Sequence, residues 1–315
     1  MRKSSQLNKK KLTPLLVCSV LVLQQSLVGN AAFASTITDA SGNPIATDPI
    51  DSAAVGKDVF NVRPDAFNGK YGFKQFKDLN LSEGDVLNFI YEAMQQKVTD
   101  DGTHQHIFWD IDTFVNLVQN GVSINGIVNT LANIGDTTSN NGNLVFISPN
   151  GMIVGSSGVL NVGSLNVFTP SVTDFNNMRN GLPNAETTAS FSDGTTTALA
   201  TQVTNTFDPT SSALQSGNST ITINGRIVSR GDVGLYGSQV NIGNGGLLLA
   251  GIGNDSTYIT TNGAADTLFN SIVNSDNMSS GNAFASTNGK IVIKSTAGTE
   301  IAENAKVRNY NVSAN

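Results

Sequence analysis

His104 and His106 are the only histidines of the chain. On an extended strand they share one face with Asp110 and Asp112, and two imidazoles beside two carboxylates form a donor set for a divalent metal. The same alternation also describes a solvated strand face opposite buried Ile107, Trp109 and Ile111, and this plainer reading is the expectation, so no metal ligands are assigned. Arg230-Gly231-Asp232 spells the tripeptide read by integrin-type receptors, a combination that composition alone also produces at turns. Acid–base cleavage of a polysaccharide needs clustered carboxylates, or a calcium site with an arginine or lysine base. Glutamates are few and aspartates scatter into turns, so no catalytic residue, no cofactor and no enzymatic activity are expected. The run Ser148-Pro149-Asn150-Gly151 is different in kind. Pro149 presets φ at the second turn position, Asn150 tolerates the third, and Gly151 closes the turn without a side-chain clash. It is a candidate for recognition as well as a stable corner.

The elements that must carry these residues are short strands. Val59–Val62 is a strand pattern stopped by Pro64. Residues 86–94 fit helical spacing and an extended run ending near Tyr91 equally well. From Ile107 onward the pattern is mostly β: 122–128, 144–147, 152–154, 158–163 and 165–168, then the same texture at 219–250 and at 289–307. Glycine and asparagine separate the apolar runs, as tight turns require. The units repeat imprecisely at about 20 residues, the size of one solenoid turn. The expected fold is therefore all-β: a right-handed parallel β-helix (solenoid) with N-terminal capping strands and extra-helical loops. Two stretches break the rhythm, at about 171–218 and 253–288, and are expected as excursions from the stack or as mobile loops.

The N-terminus sets a compartment. Arg2, Lys3, Lys9, Lys10 and Lys11 precede an apolar stretch from about Leu12 to Val28, and Ala32-Phe33-Ala34 supplies small residues before Ser35. That order is a secretory signal with cleavage between Ala34 and Ser35. It divides the chain into a signal peptide 1–34 handled by the Sec machinery, a flexible lead-in 35–58, and a β domain 59–315 that continues beyond 315 in the intact protein. Cleavage removes 5 of the 18 basic residues and no acidic ones, leaving a net charge of −11, and it removes the only cysteine, Cys18. A chain this acidic repels nucleic acid. Without disulfides its core must supply the stability, and nothing covalent opposes passage through a pore unfolded.

The stretch 142–170, GNLVFISPNGMIVGSSGVLNVGSLNVFTP, resembles the haemagglutination activity domain at the start of filamentous haemagglutinins, the exoproteins of two-partner secretion. That family carries an apolar strand, Asn-Pro-Asn-Gly, and further apolar strands. Pro149, Asn150 and Gly151 match the tetrapeptide, and Ser148 replaces its first asparagine. Residues 60–62, 88–89, 114–118 and 124–128 are similar to the family's earlier strands, so the resemblance spans roughly 59–250. The SPNGM form is similar to that of leukotoxin-like filamentous adhesins. The family's second signature, Asn-Pro-Asn-Leu, has no counterpart. The resemblance implies a secreted or surface-exposed adhesin secretion domain that nucleates β-helix folding at the cell surface. It also implies an outer-membrane β-barrel transporter with periplasmic receptor domains as partner, and a host-cell receptor or glycan as target. A β-helical polysaccharide-active enzyme and the N-terminal part of a secreted cytotoxin are the alternatives.

Overall fold

The computed structural model describes residues 34–98, 104–132, 142–190, 196–252, 258–273 and 289–310. The expected signal peptide therefore lies outside the described residues except for Ala34, as do parts of the expected excursions.

The chain opens with β1 (Thr36–Asp39), helix α1 (Pro49–Val55), β2 (Val59–Val62), β3 (Ala66–Asn68) and the long β4 (Tyr71–Leu81). Then follow β5 (Val86–Ile90), β6 (Glu92–Val98), β7 (His104–Asp110), β8 (Thr113–Val118), β9 (Val122–Ile124) and β10 (Ile127–Leu131). A dense group comes next: β11 (Asn143–Ile147), β12 (Met152–Val154), β13 (Val159–Val162) and β14 (Ser164–Phe168). Helix α2 (Val172–Arg179), β15 (Thr187–Ser190), β16 (Thr196–Leu199), β17 (Thr201–Gln202) and a 3-10 turn at Ser212–Gln215 separate these from β18 (Thr220–Ile223), β19 (Arg226–Ser229), β20 (Val233–Ile242) and β21 (Leu247–Ala250). Helix α3 (Asn262–Val273), β22 (Ile291–Ile301) and β23 (Lys306–Asn309) complete the described chain.

The right-handed β-helix is corrected by the strand pairing. β4, β8, β11, β14, β20, β18, β12 and β9 hydrogen-bond in that order, and β9 returns to β4. All these pairs are parallel, so in hydrogen-bond topology they close an eight-strand parallel β-barrel. A separate seven-strand parallel sheet, β2-β5-β10-β13-β19-β21-β23, accompanies it. The physical reason lies in two strands that do not break where the repeat predicts corners. β4 pairs with β8 through Tyr71–Phe76 and with β9 through Leu79–Leu81. β20 pairs with β14 through Val233–Tyr236 and with β18 through Gln239–Ile242. Each long strand joins two faces into one hydrogen-bonded ring.

The largest apolar cluster takes residues from both assemblies: Phe114, Phe146 and Leu165 from the ring, Phe89, Val128 and Leu160 from the sheet. Burial of each such side chain contributes roughly 1.5–3 kcal/mol. A second cluster covers the other side of the sheet, where Ile259 and the α3 residues Ala265, Leu268, Phe269 and Ile272 pack on Val59, Val86, Ile127 and Val159. A third covers the ring, with Phe175, Leu182 and Leu214 on Val115, Leu117, Val145 and Ile147. Strands buried on both faces explain why 144–147 reads as an unbroken apolar run.

Three other expectations change. The lead-in 35–58 contains β1, paired antiparallel with β4, and helix α1, capped by the Asp48 side chain. Residues 171–218 include ordered cover for the ring, and β17 pairs with β3. Of the two readings of 86–94 the extended one holds, with β5 ending at Ile90; what changes is that β6 and β7 form an antiparallel hairpin that the repeat pattern does not indicate. Among the described residues no helix is long and apolar enough to cross a membrane.

Candidate functional site

The turn 148–151 sits between β11 and β12, held from three directions. Gly151 N–H donates to the Ser148 carbonyl at 3.2 Å, and buried Ser148 donates its own N–H to the Phe168 carbonyl at 3.0 Å. Asn150 N–H donates to Ser148 Oγ at 3.3 Å. The Asn150 side chain does not bond its own backbone. It donates to the Gln119 carbonyl at 2.8 Å, on the strand connection of the preceding layer. From the following layer Ser219 Oγ donates to the Pro149 carbonyl. Gly151 has φ +79°, and a Cβ there would lie 2.2 Å from the Thr220 carbonyl oxygen. Only glycine fits both the left-handed backbone and the close approach.

The other predicted residues fall elsewhere. Arg230 is 5% exposed, and its guanidinium donates to Asn161 Oδ1. Gly231 N–H donates to the Gly163 carbonyl at 2.6 Å, and Asp232 Oδ1 accepts from Lys290 N–H at 2.8 Å. The tripeptide is thus a buried structural element with one exposed carboxylate, not a presented loop. The backbones of His104 and His106 lie on β7, while their side chains fall outside the described residues. Asp112 pairs with Lys70 at 3.7 Å. Ile111 is buried as expected, whereas Trp109 is 44% exposed, stacked on Phe67 at 5.5 Å. Ala34 is exposed, and Ser35 Oγ donates to Asp85 Oδ2 at 2.6 Å, so the expected cleavage between them would leave Ser35 seated.

Two polar constructions carry no recognised sequence motif. The first is a column of four asparagines in matching register on the seven-strand sheet: Asn61, Asn88, Asn129 and Asn161. Asn88 Nδ2 donates to Asn61 Oδ1 at 2.9 Å, Asn129 Nδ2 to Asn88 Oδ1 at 3.2 Å, and Asn161 Nδ2 to Asn129 Oδ1 at 3.0 Å. Asn61 Nδ2 donates to Asp48 Oδ2 and Asp51 Oδ2 at one end, and Arg230 donates to Asn161 at the other. Carboxylates at the donor end and a guanidinium at the acceptor end match the polarity of the chain of amides. Tyr258 and Ile259 cover it, the Ile259 carbonyl accepting from Asn129 Nδ2 at 2.9 Å. The signal was present in sequence: each asparagine follows two apolar residues in VFN, VLN, IVN and VLN. Asn129→Leu is expected to cost about 1–3 kcal/mol in urea unfolding, because it orphans buried groups on Asn88, Asn161 and Ile259.

The second is a buried ion cluster. Lys74, with no exposed side-chain surface, pairs with Asp65 at 2.7 Å and with Glu186 at 3.8 Å. Burial pushes the Asp65 carboxyl up to about 6, against the pull of Lys74. Beside it Gln75 Nε2 donates to the Pro183 carbonyl at 2.6 Å, and Arg179 Nε donates to Gln75 Oε1 at 2.7 Å. Together these bonds fasten residues 179–186 to β4. A lone lysine in a mixed strand carries no sequence signal of burial. Among the described residues no group of three or more histidine, cysteine, aspartate or glutamate side chains is placed to hold a metal. No family model matches the chain, and no curated protein matches it.

Proposed function

We propose that this chain is the secretion domain of an exported, surface-acting adhesin, received during export by an outer-membrane β-barrel transporter with periplasmic receptor domains. The observation that carries this reading is the order of pairing. In the seven-strand sheet the spatial order repeats the chain order, and every pair is parallel. Each new strand therefore meets an edge already finished by residues that precede it. A chain delivered from its N-terminus can fold layer by layer, and every layer formed outside opposes return through the pore. The stretch that resembles the haemagglutination domain builds β11 to β14, which contribute one strand to this sheet and three to the ring.

The test separates recognition of the turn 148–151 from its stability. Asn150→Ile removes one exposed hydrogen bond to Gln119, about 0.5–1.5 kcal/mol, so the purified variant is expected to fold. Secretion is compared in culture medium and periplasm, with and without the transporter gene, against Thr204→Ile at an exposed excursion residue. The expected result is wild type and Thr204→Ile in the medium only with the transporter, and Asn150→Ile held back several-fold. Equal secretion of both variants would reduce the turn to an ordinary corner. Wild-type protein reaching the medium without any transporter would overturn the proposal.

A further inference from the structure

A cleft of about 240 Å³ opens on the outer face of the ring, floored by β8, β11, β14 and β20 and walled by the segment carrying Phe207. Tyr71 and Tyr236 line it together with Phe207. Phe207 meets Tyr71 edge-on at 6.0 Å, and Tyr236 is held flat against Phe168 at 4.7 Å. Among these rings stand Asn143, Asn166 and Asp232. The side-chain amides of Asn143 and Asn166 form no hydrogen bond among the described residues, whereas Asn88, Asn116, Asn129 and Asn161 serve as internal connectors. The spacing depends on Gly234: a Cβ there would fall 2.4 Å from Asn166 Oδ1 and 2.5 Å from the Tyr236 ring. Its missing side chain lets the amide and the phenol share one floor.

We propose that this cleft binds one ring of a neutral saccharide. A free carboxamide both donates and accepts, which suits vicinal hydroxyls, and the Asp232 carboxylate, with Oδ1 already on the Lys290 N–H, offers Oδ2 to another. Aromatic rings supply apolar walls for the C–H faces of a sugar. The volume lies below that of pockets for drug-sized ligands, so one ring is enclosed and its neighbours stay in solvent. Other ligand classes fit less well. Asp232 lines the cleft and repels an anion, while the Lys294 ammonium, 5.9 Å over the Tyr236 ring, is not among the lining residues. A peptide strand finds no free edge, because β11, β14 and β20 are each paired on both sides here. A single carboxylate is a poor cation site. The proposal is independent of the secretion reading and survives its failure.

The experiment titrates isotope-labelled protein with the methyl glycosides of glucose, galactose, mannose and N-acetylglucosamine, following backbone amide shifts. The expected result is saturable binding of at least one glycoside in the millimolar range, with shifts centred on 143–145, 164–168 and 232–236. Asn166→Leu, which retains strand packing, is expected to weaken binding at least tenfold, and so is Gly234→Ala through displacement of Asn166 and Tyr236. Asn143→Ala, at the half-buried rim, provides a third variant whose folding is not at stake. Unchanged thermal unfolding of these variants assigns the loss to the cleft. No saturable shift with any glycoside, shifts mapping elsewhere, or undiminished binding by all three variants would each overturn the proposal.

Discussion

Replacing Lys74 by methionine is expected to lower the stability of the fold by about 3–5 kcal/mol at neutral pH. The methionine fills most of the lysine's space, so packing changes little. What remains is the Asp65 carboxylate, side chain 4% exposed, without the ammonium 2.7 Å away. Glu186, the second partner at 3.8 Å, is more exposed and turns outward at little cost. The pH dependence identifies the cause. Burial raises the Asp65 carboxyl to about 6 from an ordinary 3.8. A group whose folded pKa is raised stabilises the fold fully below its unfolded pKa, and that contribution is lost as pH rises through the folded value. With Lys74 gone the carboxyl rises further, so the variant is expected to regain much of its loss as the pH falls through its own higher folded pKa toward about 6, the deficit staying level below that. Asp65→Asn should flatten the dependence between about pH 4 and 6, and Asp65→Asn combined with Lys74→Met should recover most of the neutral-pH deficit. Urea unfolding from about pH 4 to about pH 9 reads all three. A Lys74→Met deficit that does not vary with pH would mean lost packing, not a stranded charge.

Phe89→Ala should be comparably damaging. Phe89 is fully buried on β5 and meets Phe114 at 5.2 Å and Phe146 at 5.9 Å, both edge-on. These rings join the sheet to the ring of strands, so truncation opens a cavity at the interface of the two assemblies. The expected cost is about 3–5 kcal/mol. Phe89→Leu should cost less than half of that, because most of the volume is kept. A double-mutant cycle with Phe146→Ala is expected to show coupling, since both truncations enlarge one cavity. Equal costs for Phe89→Ala and Phe89→Leu would show that the site is loosely packed.

The strands at 122–128, 144–147, 152–154 and 159–168 were legible because β-branched runs end at glycine and asparagine turns. The topology was not. Whether a strand stops at a corner or runs past it depends on pairing with strands distant in sequence, and nothing local at Lys77-Asp78 or Gly237-Ser238 shows that the long strands run through them. The excursions were located by their polar composition, yet the few apolar residues they contain, Phe175, Leu182 and Leu214, are those that dock. The hairpin β6–β7 misled for the opposite reason. Its alternation of Ile107, Trp109 and Ile111 resembles a core strand, but it pairs only with its neighbour, and Phe108 and Trp109 remain 54% and 44% exposed. Of the candidate residues, 148–151 form the predicted turn, with Asn150 reaching to another layer and not to itself. Arg230 was singled out for a tripeptide and acts instead on Asn161.

The asparagine column bears on how such a chain can change length. Asn88 and Asn129 are interchangeable units, each receiving one amide bond from the next asparagine and giving one to the last. A duplicated segment carrying one more asparagine at this register would continue the chain of amides, provided that it also brought cover for the second amide hydrogen, as Tyr258 and Ile259 do for Asn88 and Asn129. The termini offer no such freedom: Asp48 and Asp51 fit only the first asparagine, and Arg230 only the last. Gene duplication is thus tolerated in the interior of the column and penalised at its ends, and a lineage of related chains would vary in the number of middle units while keeping both caps.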